Sequence, residues 1–358
     1  MRDKESPIEG SKSVVFFPTC GHLDSASRTW VLPIHGWIYD PGRSSNVGKA
    51  TLAIFRRYLR FKTKEPLNPL FRERIRAFTV KNQRGKRISV RLGNRVYPLE
   101  KSETNGHFKG IVRLHAREAE RLLQTHADAQ GWMPFAAVTS ESDPRNFRGK
   151  VQFISETGLS VISDIDDTIK HSMVRDRREL LANTFLRDFR AVPSVADVYR
   201  NWEAVGARFH YVSSSPWQLY EPLVEFLGKE GFPEGTLHLK VLRLRDSRLW
   251  KRVGIKHESK SKAIETIFQS FPRRQFILVG DSGERDPEIY GAVARNHPSQ
   301  VARILIRDVT GHPAESPRFK KAFRGAPADR WSLFRTVEEL RAESNLWTPS
   351  DLLQTSPT

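Results

Sequence analysis

The stretch Val161-Ile-Ser-Asp164-Ile-Asp166-Asp167-Thr168-Ile169 decides the fold of this chain and the place of its candidate site. An apolar run leads into Asp164 and Asp166, which stand two residues apart, and Thr168 follows after two more. Residues i and i+2 of an extended segment share one face, so we expect the two carboxylates side by side. The run predicts a buried strand of an open α/β sheet, in which ligands bind at the carboxyl edge.

Two carboxylates held this close repel each other, and a divalent cation relieves the repulsion. Their hard oxygen atoms favour Mg²⁺. Capping of the next helix explains Asp164 and Asp166 equally well when the two are taken alone, because Asp and Thr often cap helices after strands. An EF-hand loop is excluded, since its sixth position requires Gly and is occupied here by Ile169.

The composition is that of a soluble globular protein, with 38% hydrophobic and 28% charged residues. A length of 358 residues predicts two domains. No apolar run approaches the ~20 residues of a membrane span, and the first residues lack the apolar core of a signal peptide. Cys20 is the only cysteine, which excludes an internal disulfide and fits a reducing compartment. We therefore expect a cytoplasmic protein.

Positive charge is concentrated in one segment of a chain whose net charge is +18. Between Arg56 and Arg95 fourteen Lys or Arg residues stand against Glu65 and Glu73. Such a segment favours an anionic partner, which can be nucleic acid, acidic lipid or a phosphorylated ligand. A merely solvated basic face is the alternative.

The same segment contains a predicted amphipathic helix after Pro66. Its apolar positions recur at helical spacing, and Arg72, Arg74 and Arg76 are predicted on its solvent side. A basic helix of this kind can lie on an anionic membrane and thereby hold the protein there peripherally. Helices of this pattern more often pack on their own domain. The apolar positions are Leu67, Leu70, Phe71, Ile75 and Phe78.

The first part of the chain predicts a mainly-β, sandwich-like domain over residues 29–157, preceded by an irregular segment over 1–28. Short runs of β-formers alternate with turn signals such as Asp40-Pro-Gly42 and Asn105-Gly106. Leu52–Phe55 extends this sheet or opens the next helix. The predicted strands are Trp30–Ile34, Trp37–Tyr39, Arg87–Leu92, Arg95–Leu99, His107–Leu114, Phe135–Val138 and Lys150–Ile154.

Strand and helix patterns alternate after Gly158, which predicts a parallel α/β sheet over residues 158–310. Further strands are expected at Phe209–Val212 and Gln275–Val279, and Ala302–Ile306 is expected to complete the sheet. The remaining residues, 311–358, predict a tail with one helical stretch around Trp331–Arg341.

Polar clusters follow three of these strands. They are Asp164/Asp166/Thr168, Ser213-Ser214-Ser215 and Asp281 to Asp286, and Lys260 opens a helix before the third. In this order they resemble the haloacid dehalogenase superfamily of phosphotransferases. Asp164-Ile-Asp-Asp-Thr168, Tyr211-Val-Ser-Ser-Ser-Pro-Trp217 and Gly280-Asp-Ser-Gly-Glu-Arg-Asp-Pro-Glu-Ile-Tyr290 resemble more closely the catalytic domain of phosphatidate phosphatases of the App1 type, over about Gly158–Asp308. The β domain resembles the N-terminal region of bacterial members only loosely.

The resemblance implies a role for each acidic residue. Asp164 is the implied nucleophile, which forms an aspartyl-phosphate, and Asp166 is the implied general acid and base. The implied ligands of Mg²⁺ are Asp164, the backbone carbonyl of Asp166, and Asp281. Asp286 is implied to orient these groups, with metal ligation as the alternative.

The resemblance also implies the groups that bind the phosphate. Thr168, Ser213 and Ser214 are implied hydrogen-bond donors to the phosphoryl oxygens. Lys260 is implied to neutralise the negative charge of the nucleophile and the phosphate, and Lys262 is the alternative residue for that role. The segment Ile169-Lys170-His171-Ser172 is more basic than the family pattern, which leaves the leaving-group pocket and the substrate open.

These expectations combine into a Mg²⁺-dependent, phosphatidate phosphatase-like enzyme that contacts anionic membrane through Arg56–Arg95. One alternative is a phosphatase for a non-lipid ester, such as a nucleic-acid end, a sugar or a protein. A nucleic-acid partner is less favoured, because the basic segment lacks the interleaved exposed aromatics of a single-strand platform. A non-catalytic lipid-binding module is a further alternative, against which the complete set of active-site residues argues.

Overall fold

A computed structural model describes residues 8–44, 68–241 and 258–345 of the chain. The chain divides into two compact units. Of the described residues, 8–44 and 75–155 belong to one unit, and 68–74, 156–241 and 258–345 belong to the other. Among the described residues, no helix has both the length and the hydrophobicity that crossing a membrane requires.

The first unit is mainly β, as predicted. Its strands join in the order β1-β3-β2-β9-β8-β5-β6, with β4 and β7 also pairing with β3. Side chains from these strands and from one helix pack into one hydrophobic core. The strands are β1 Ser13–Phe17, β2 Thr19–Asp24, β3 Thr29–Ser44, β4 Val80–Asn82, β5 Arg87–Leu92, β6 Arg95–Lys101, β7 His107–His115, β8 Trp132–Ala137 and β9 Arg148–Phe153, and the helix is α2 Ala116–His126.

Two local predictions for this unit are wrong. Residues 13–24 form β1 and β2 rather than an irregular segment, because β1 pairs with β3 and buries Val14 and Phe16. The turn signal at Asp40-Pro-Gly42 lies inside β3, where the Asp40 carboxylate accepts hydrogen bonds from Ser11 Oγ at 2.8 Å and from the Gly42 amide at 3.0 Å. The register of β3 against β4 shifts between Asp40 and Ser44, so the turn signal marks an irregularity within the strand. The prediction for Leu52–Phe55 lies outside the described residues.

The second unit is the predicted parallel α/β fold. Its sheet has the strand order β12-β11-β10-β13-β14-β15, and every pairing is parallel. All residues of the central strands β10 and β13 are buried, as expected when helices cover both faces of a parallel sheet. The strands are β10 Leu159–Ser163, β11 Arg208–Pro216, β12 Gly235–Lys240, β13 Gln275–Asp281, β14 Val301–Arg307 and β15 Trp331–Phe334.

Helices connect these strands and continue beyond the last of them. They are α3 Arg177–Phe185, α4 Val195–Ala204, α5 Tyr220–Lys229, α6 Glu258–Ser270, α7 Asp286–Asn296, α8 Pro317–Ala322 and α9 Val337–Asn345. The helix predicted to begin at Trp331 is wrong at its start, because Trp331–Phe334 pairs with β14 as a sixth strand. Residues 346–358 lie outside the described residues.

The basic amphipathic helix is α1, Pro69–Thr79. Arg72 and Arg76 are exposed as predicted, but Arg74 is buried, with 7% of its surface exposed. Neighbours two positions apart lie on nearly opposite sides of a helix, so alternating arginines cannot share one face. Arg74 instead donates hydrogen bonds to the carbonyls of Thr184 and Arg187, both at 2.7 Å. The part of the basic segment from Arg56 to Leu67 lies outside the described residues.

Candidate active site

The carboxyl ends of β10, β11 and β13 meet at one edge of the parallel sheet. Ser163, the last residue of β10, stands level with Tyr211 of β11 and Val279 of β13. The chain then turns, and the Asp164 amide donates to the Val279 carbonyl at 2.9 Å. This register brings together the three polar clusters that the sequence places after these strands.

Asp164 is fully buried and bound through both carboxylate oxygens. Lys260 Nζ lies 2.8 Å from Oδ1, and Thr168 Oγ1 donates to Oδ2 at 3.2 Å. Lys260 comes from α6 and also forms an ion pair with Asp286. The Lys262 side chain is exposed, so Lys260 is the lysine of the two that faces Asp164.

Asp164, Asp281 and Asp286 form a buried acidic cluster. One oxygen from each lies within 4.8 Å of the others, which suits a shared cation. Burial raises the pKa of Asp281 well above its usual value, and the charges of Asp286 and Glu284 raise it further. Asp281 Oδ1 accepts from the amides of Gly283 and Glu284, while Oδ2 is buried without a hydrogen-bond partner among the described residues. An unpaired carboxylate oxygen beside two other carboxylates fits a hard divalent cation such as Mg²⁺.

Asp286 lies within this acidic cluster and also contacts the backbone of Asp281, and its orienting role stays a prediction. Its Oδ2 accepts from the Asp281 amide at 3.2 Å. Gly280 makes that approach possible, because a Cβ there would lie 2.4 Å from the same oxygen. Asp166 adds no carboxylate oxygen to the cluster, and its contribution to metal binding through the backbone carbonyl stays a prediction.

Four side-chain donors surround the Asp166 carboxylate. Lys170 Nζ and Ser172 Oγ both lie 2.7 Å from Oδ1, while Ser213 and Ser215 donate to Oδ2 at 3.0 and 2.9 Å. Burial acts to raise the pKa of Asp166. The charge of Lys170 and the hydrogen bonds outweigh that effect and leave the pKa below its usual value. These four contacts hold the Asp166 side chain in one orientation.

Asp167 shapes the loop that supplies two of these donors. Its backbone has a φ of 54°, and its carboxylate accepts from the amides of Ser172 and Met173 at 2.8 Å and of Val174 at 2.7 Å. Arg307 donates to the Asp167 carbonyl at 2.7 Å. These bonds fold the chain back after Thr168, so that Ser172 reaches Asp166.

The predicted phosphate donors lie at the same edge. Thr168 and Ser213 are buried and donate to Asp164 and Asp166, and Ser214 is half-buried beside Ser213. Their contact with a phosphoryl group stays a prediction.

Several residues of the site were not predicted from the sequence. Lys170 and Ser172 were noticed only as a departure from the family pattern, and their contact with Asp166 depends on the loop that Asp167 folds. Glu284 was also missed. Burial raises its pKa to about 7 despite the opposing charge of Lys260, and its Oε2 has no hydrogen-bond partner among the described residues.

Arg318, from the segment predicted as a tail, supports the third polar cluster. It donates to the carbonyls of Ser282 and Glu284 and pairs with Glu288 at 2.9 Å. No local sequence signal distinguishes this arginine from the many others in the chain.

Comparison with known proteins bears on residues 159–308. They match the family model described as "Phosphatidate phosphatase APP1, catalytic domain". The resemblance inferred from the three polar clusters is therefore confirmed for this segment.

Two curated proteins match about half of the chain. Phosphatidate phosphatase APP1 of Saccharomyces cerevisiae is 33% identical over 184 residues, which are 50% of this chain and 31% of that protein. An uncharacterized protein of Schizosaccharomyces pombe is 31% identical over 166 residues, or 46% of this chain and 27% of that protein. The chain thus spans about a third of the length of these relatives. Among solved structures, the class C acid phosphatase of Bacillus anthracis matches at 15% identity and a TM-score of 0.26, covering 40% of this chain and 62% of that one.

Proposed function

We propose that this protein is a metal-dependent phosphomonoester hydrolase that forms an aspartyl-phosphate on Asp164. The observation that carries the proposal is the buried cluster of Asp164, Asp281 and Asp286 with Lys260, set at the carboxyl edge of the parallel sheet. The match of residues 159–308 to a phosphatidate phosphatase catalytic domain supports it.

Asp164 attacks phosphorus through a carboxylate oxygen. The bond between phosphorus and the ester oxygen breaks, and its electron pair leaves with that oxygen. Lys260 orients Asp164 and opposes the rise in its pKa that burial causes, and its charge offsets part of the negative charge that the phosphate brings. Asp164, Asp281 and Asp286 would hold Mg²⁺, which would supply further positive charge next to the phosphate.

Asp166 serves both halves of the reaction. Asp166 is protonated beside the bound phosphate, whose negative charge raises its pKa, and it gives this proton to the departing alkoxide. As the carboxylate, it then takes a proton from the water that attacks the aspartyl-phosphate, which restores the acid. That second attack breaks the bond between phosphorus and the Asp164 oxygen and restores the carboxylate. Its position two residues after Asp164, on the same loop, supports this assignment.

The proposed substrate is an anionic lipid phosphomonoester of the phosphatidate class, processed by a cytoplasmic protein bound peripherally to membrane. Exposed cations in the basic segment support a contact with anionic lipid. Each Lys or Arg near such a surface contributes about 1 kcal/mol of attraction. The described members of this exposed set are Arg72, Arg76, Lys81, Arg84, Arg91 and Arg95.

A phosphate-release screen tests the proposal. Purified protein is assayed with phosphatidate in mixed micelles and with soluble phosphomonoesters, each with Mg²⁺ or with EDTA, beside the Asp164→Asn variant. We expect Mg²⁺-dependent release from phosphatidate that is absent in the variant. Activity on soluble esters alone would indicate a non-lipid substrate. Absence of phosphate release from every ester would contradict the proposed phosphatase activity.

A further inference from the structure

We propose that Lys170 is a positioning residue that fixes the Asp166 carboxylate for both of its proton transfers. The inference rests on the proposed function, and it assigns a role to a residue of the segment Ile169-Lys170-His171-Ser172, which is more basic than the family pattern. Lys170 lies on the loop between the Asp164–Thr168 cluster and α3.

Lys170 is almost completely buried, with 2% of its surface exposed. Burying an ammonium group costs several kcal/mol unless the charge is paired and hydrogen-bonded. Asp166 supplies the opposite charge at 2.7 Å, and Ser172 supplies a further hydrogen-bond partner. A lysine that served solubility alone would remain exposed to solvent.

An aromatic ring holds the ammonium from another side. Lys170 Nζ lies 4.7 Å from the centre of the Phe189 ring, a cation–π distance. The Arg74 guanidinium lies 3.9 Å from the same ring, and Arg74 is fixed by its bonds to the carbonyls of Thr184 and Arg187. Arg74, Phe189, Lys170 and Asp166 therefore form one continuous chain of contacts.

The backbone closes the same arrangement. The Asp167 amide donates to the Lys170 carbonyl at 2.7 Å, so the loop returns directly onto the residue that follows Asp166. Lys170 and Ser172 hold Asp166 Oδ1, while two serines of the β11 cluster hold Oδ2. Removing the lysine leaves Oδ1 with one neutral donor and frees the carboxylate to turn.

A turned Asp166 affects some chemical steps and spares others. Attack of Asp164 on an aryl phosphate such as p-nitrophenyl phosphate needs little help from an acid, because p-nitrophenolate leaves readily. Departure of an alkoxide and hydrolysis of the aspartyl-phosphate both need Asp166. A lysine that only stabilised the fold, or that bound phosphate itself, would affect all of these steps.

The test measures these steps separately in Lys170→Met, with Lys170→Arg as the conservative variant and Lys262→Met as the exposed-lysine control. We expect the p-nitrophenol burst of Lys170→Met to stay within about 3-fold of the parent protein, while hydrolysis of the aspartyl-phosphate slows by roughly 10- to 100-fold. Lys170→Arg should recover part of the loss, and Lys262→Met should behave as the parent.

A double-mutant cycle shows whether Lys170 acts through Asp166. In an Asp166→Asn background, Lys170→Met should slow hydrolysis of the aspartyl-phosphate by less than about 3-fold more, because the group it positions is already lost. Full additivity, or equal slowing of burst and hydrolysis in the single variant, would overturn the inference.

If the Lys170→Met variant does not fold, the Phe189→Leu variant provides a second test of the inference. It leaves the ion pair in place but removes the ring, and it should give the same step-selective loss at smaller size. A burst that slows in parallel with hydrolysis would count against the inference here as well. Absence of any phosphate release from the parent protein would instead reject the proposed function itself.

Discussion

Lys260 Nζ lies 2.8 Å from Asp164 Oδ1, and both side chains are about 1% exposed. A buried ion pair of this kind is stable only because each partner finds further contacts, here Thr168 for Asp164 and Asp286 for Lys260. Burial raises the pKa of Asp164 well above its usual value, and the charge of Lys260 opposes that effect. The ion pair thereby orients the carboxylate and favours its ionised form, which a nucleophile requires.

Replacing Asp164 tests that role directly. Asp164→Asn keeps the shape of the side chain but removes the nucleophile, so phosphate release should fall by at least ~10³-fold. Circular dichroism and the thermal midpoint check that the fold persists. Near-normal turnover by a folded variant would refute the aspartyl-phosphate mechanism.

Asp166→Asn should have a different signature. With p-nitrophenyl phosphate the aspartyl-phosphate should still form, because the leaving group needs little protonation, and should then persist because water is not activated. Rapid-quench measurement of the burst and of the trapped phosphoenzyme checks this. If formation and hydrolysis of the aspartyl-phosphate slowed equally, Asp166 would not be the general acid and base.

Gly280→Ala should weaken metal binding. Its new Cβ would lie 2.4 Å from Asp286 Oδ2 and push that carboxylate away from Asp281. We expect the Mg²⁺ concentration for half-maximal activity to rise by roughly 10-fold or more, in line with losses seen when groups that orient metal ligands are disturbed. Gly228→Ala is the matched control. Gly228 lies in α5 with nothing within 4 Å of an added Cβ, so that change should leave Mg²⁺ dependence unaltered.

The exposed and buried arginines of α1 should respond differently to charge reversal. Arg72→Glu with Arg76→Glu should weaken binding to anionic vesicles and lower activity on phosphatidate in bilayers, while activity on a soluble ester stays unchanged. Added salt should reproduce the effect on vesicle binding. Arg74→Glu should destabilise the protein instead, because Arg74 is buried against backbone carbonyls. Vesicle binding that ignores both salt and the double reversal would contradict a membrane role for these residues.

His107 gives the protein a defined sensitivity to acid. Burial lowers its pKa from 6.5 to about 4, with a smaller contribution from Lys109, so the folded protein keeps it neutral where the unfolded chain takes up a proton. The contribution of neutral His107 to the free energy of unfolding is fully present above pH 6.5 and declines as the pH falls towards 4. The loss is about 2 kcal/mol at pH 5. Urea unfolding of the parent and of His107→Gln at pH 7.5 and 5 measures it. Equal pH dependence in both proteins would contradict the assignment.

The parts of the structure that the sequence predicted are those governed by local pattern. Buried parallel strands are continuous apolar runs, and β10 and β13 were found on that basis, together with the carboxylates that follow them. Patterns that depend on a distant partner were misjudged. β1 is a strand because β3 lies beside it, and β15 because β14 does.

The candidate site shows the same limit at the level of single residues. Asp164, Asp166 and Asp281 follow predicted strands in motifs that resemble a known family, and that resemblance identified them as site residues. The burial of Arg74 against Phe189 depends on a contact between segments roughly a hundred residues apart. The burial of Lys170 against the same ring depends on how the loop and α3 between them fold, and no local pattern encodes either contact.

The sixth strand has a practical consequence for anyone expressing part of this chain. The segment that matches the family ends at residue 308, yet β15 and Arg318 follow it. A fragment cut at 308 would leave β14 as an open edge, with a row of unpaired amides and carbonyls able to recruit strands of other molecules. It would also release the loop from Ser282 to Glu284. Such a fragment should aggregate and bind metal poorly, whereas one that extends through α9 retains both supports.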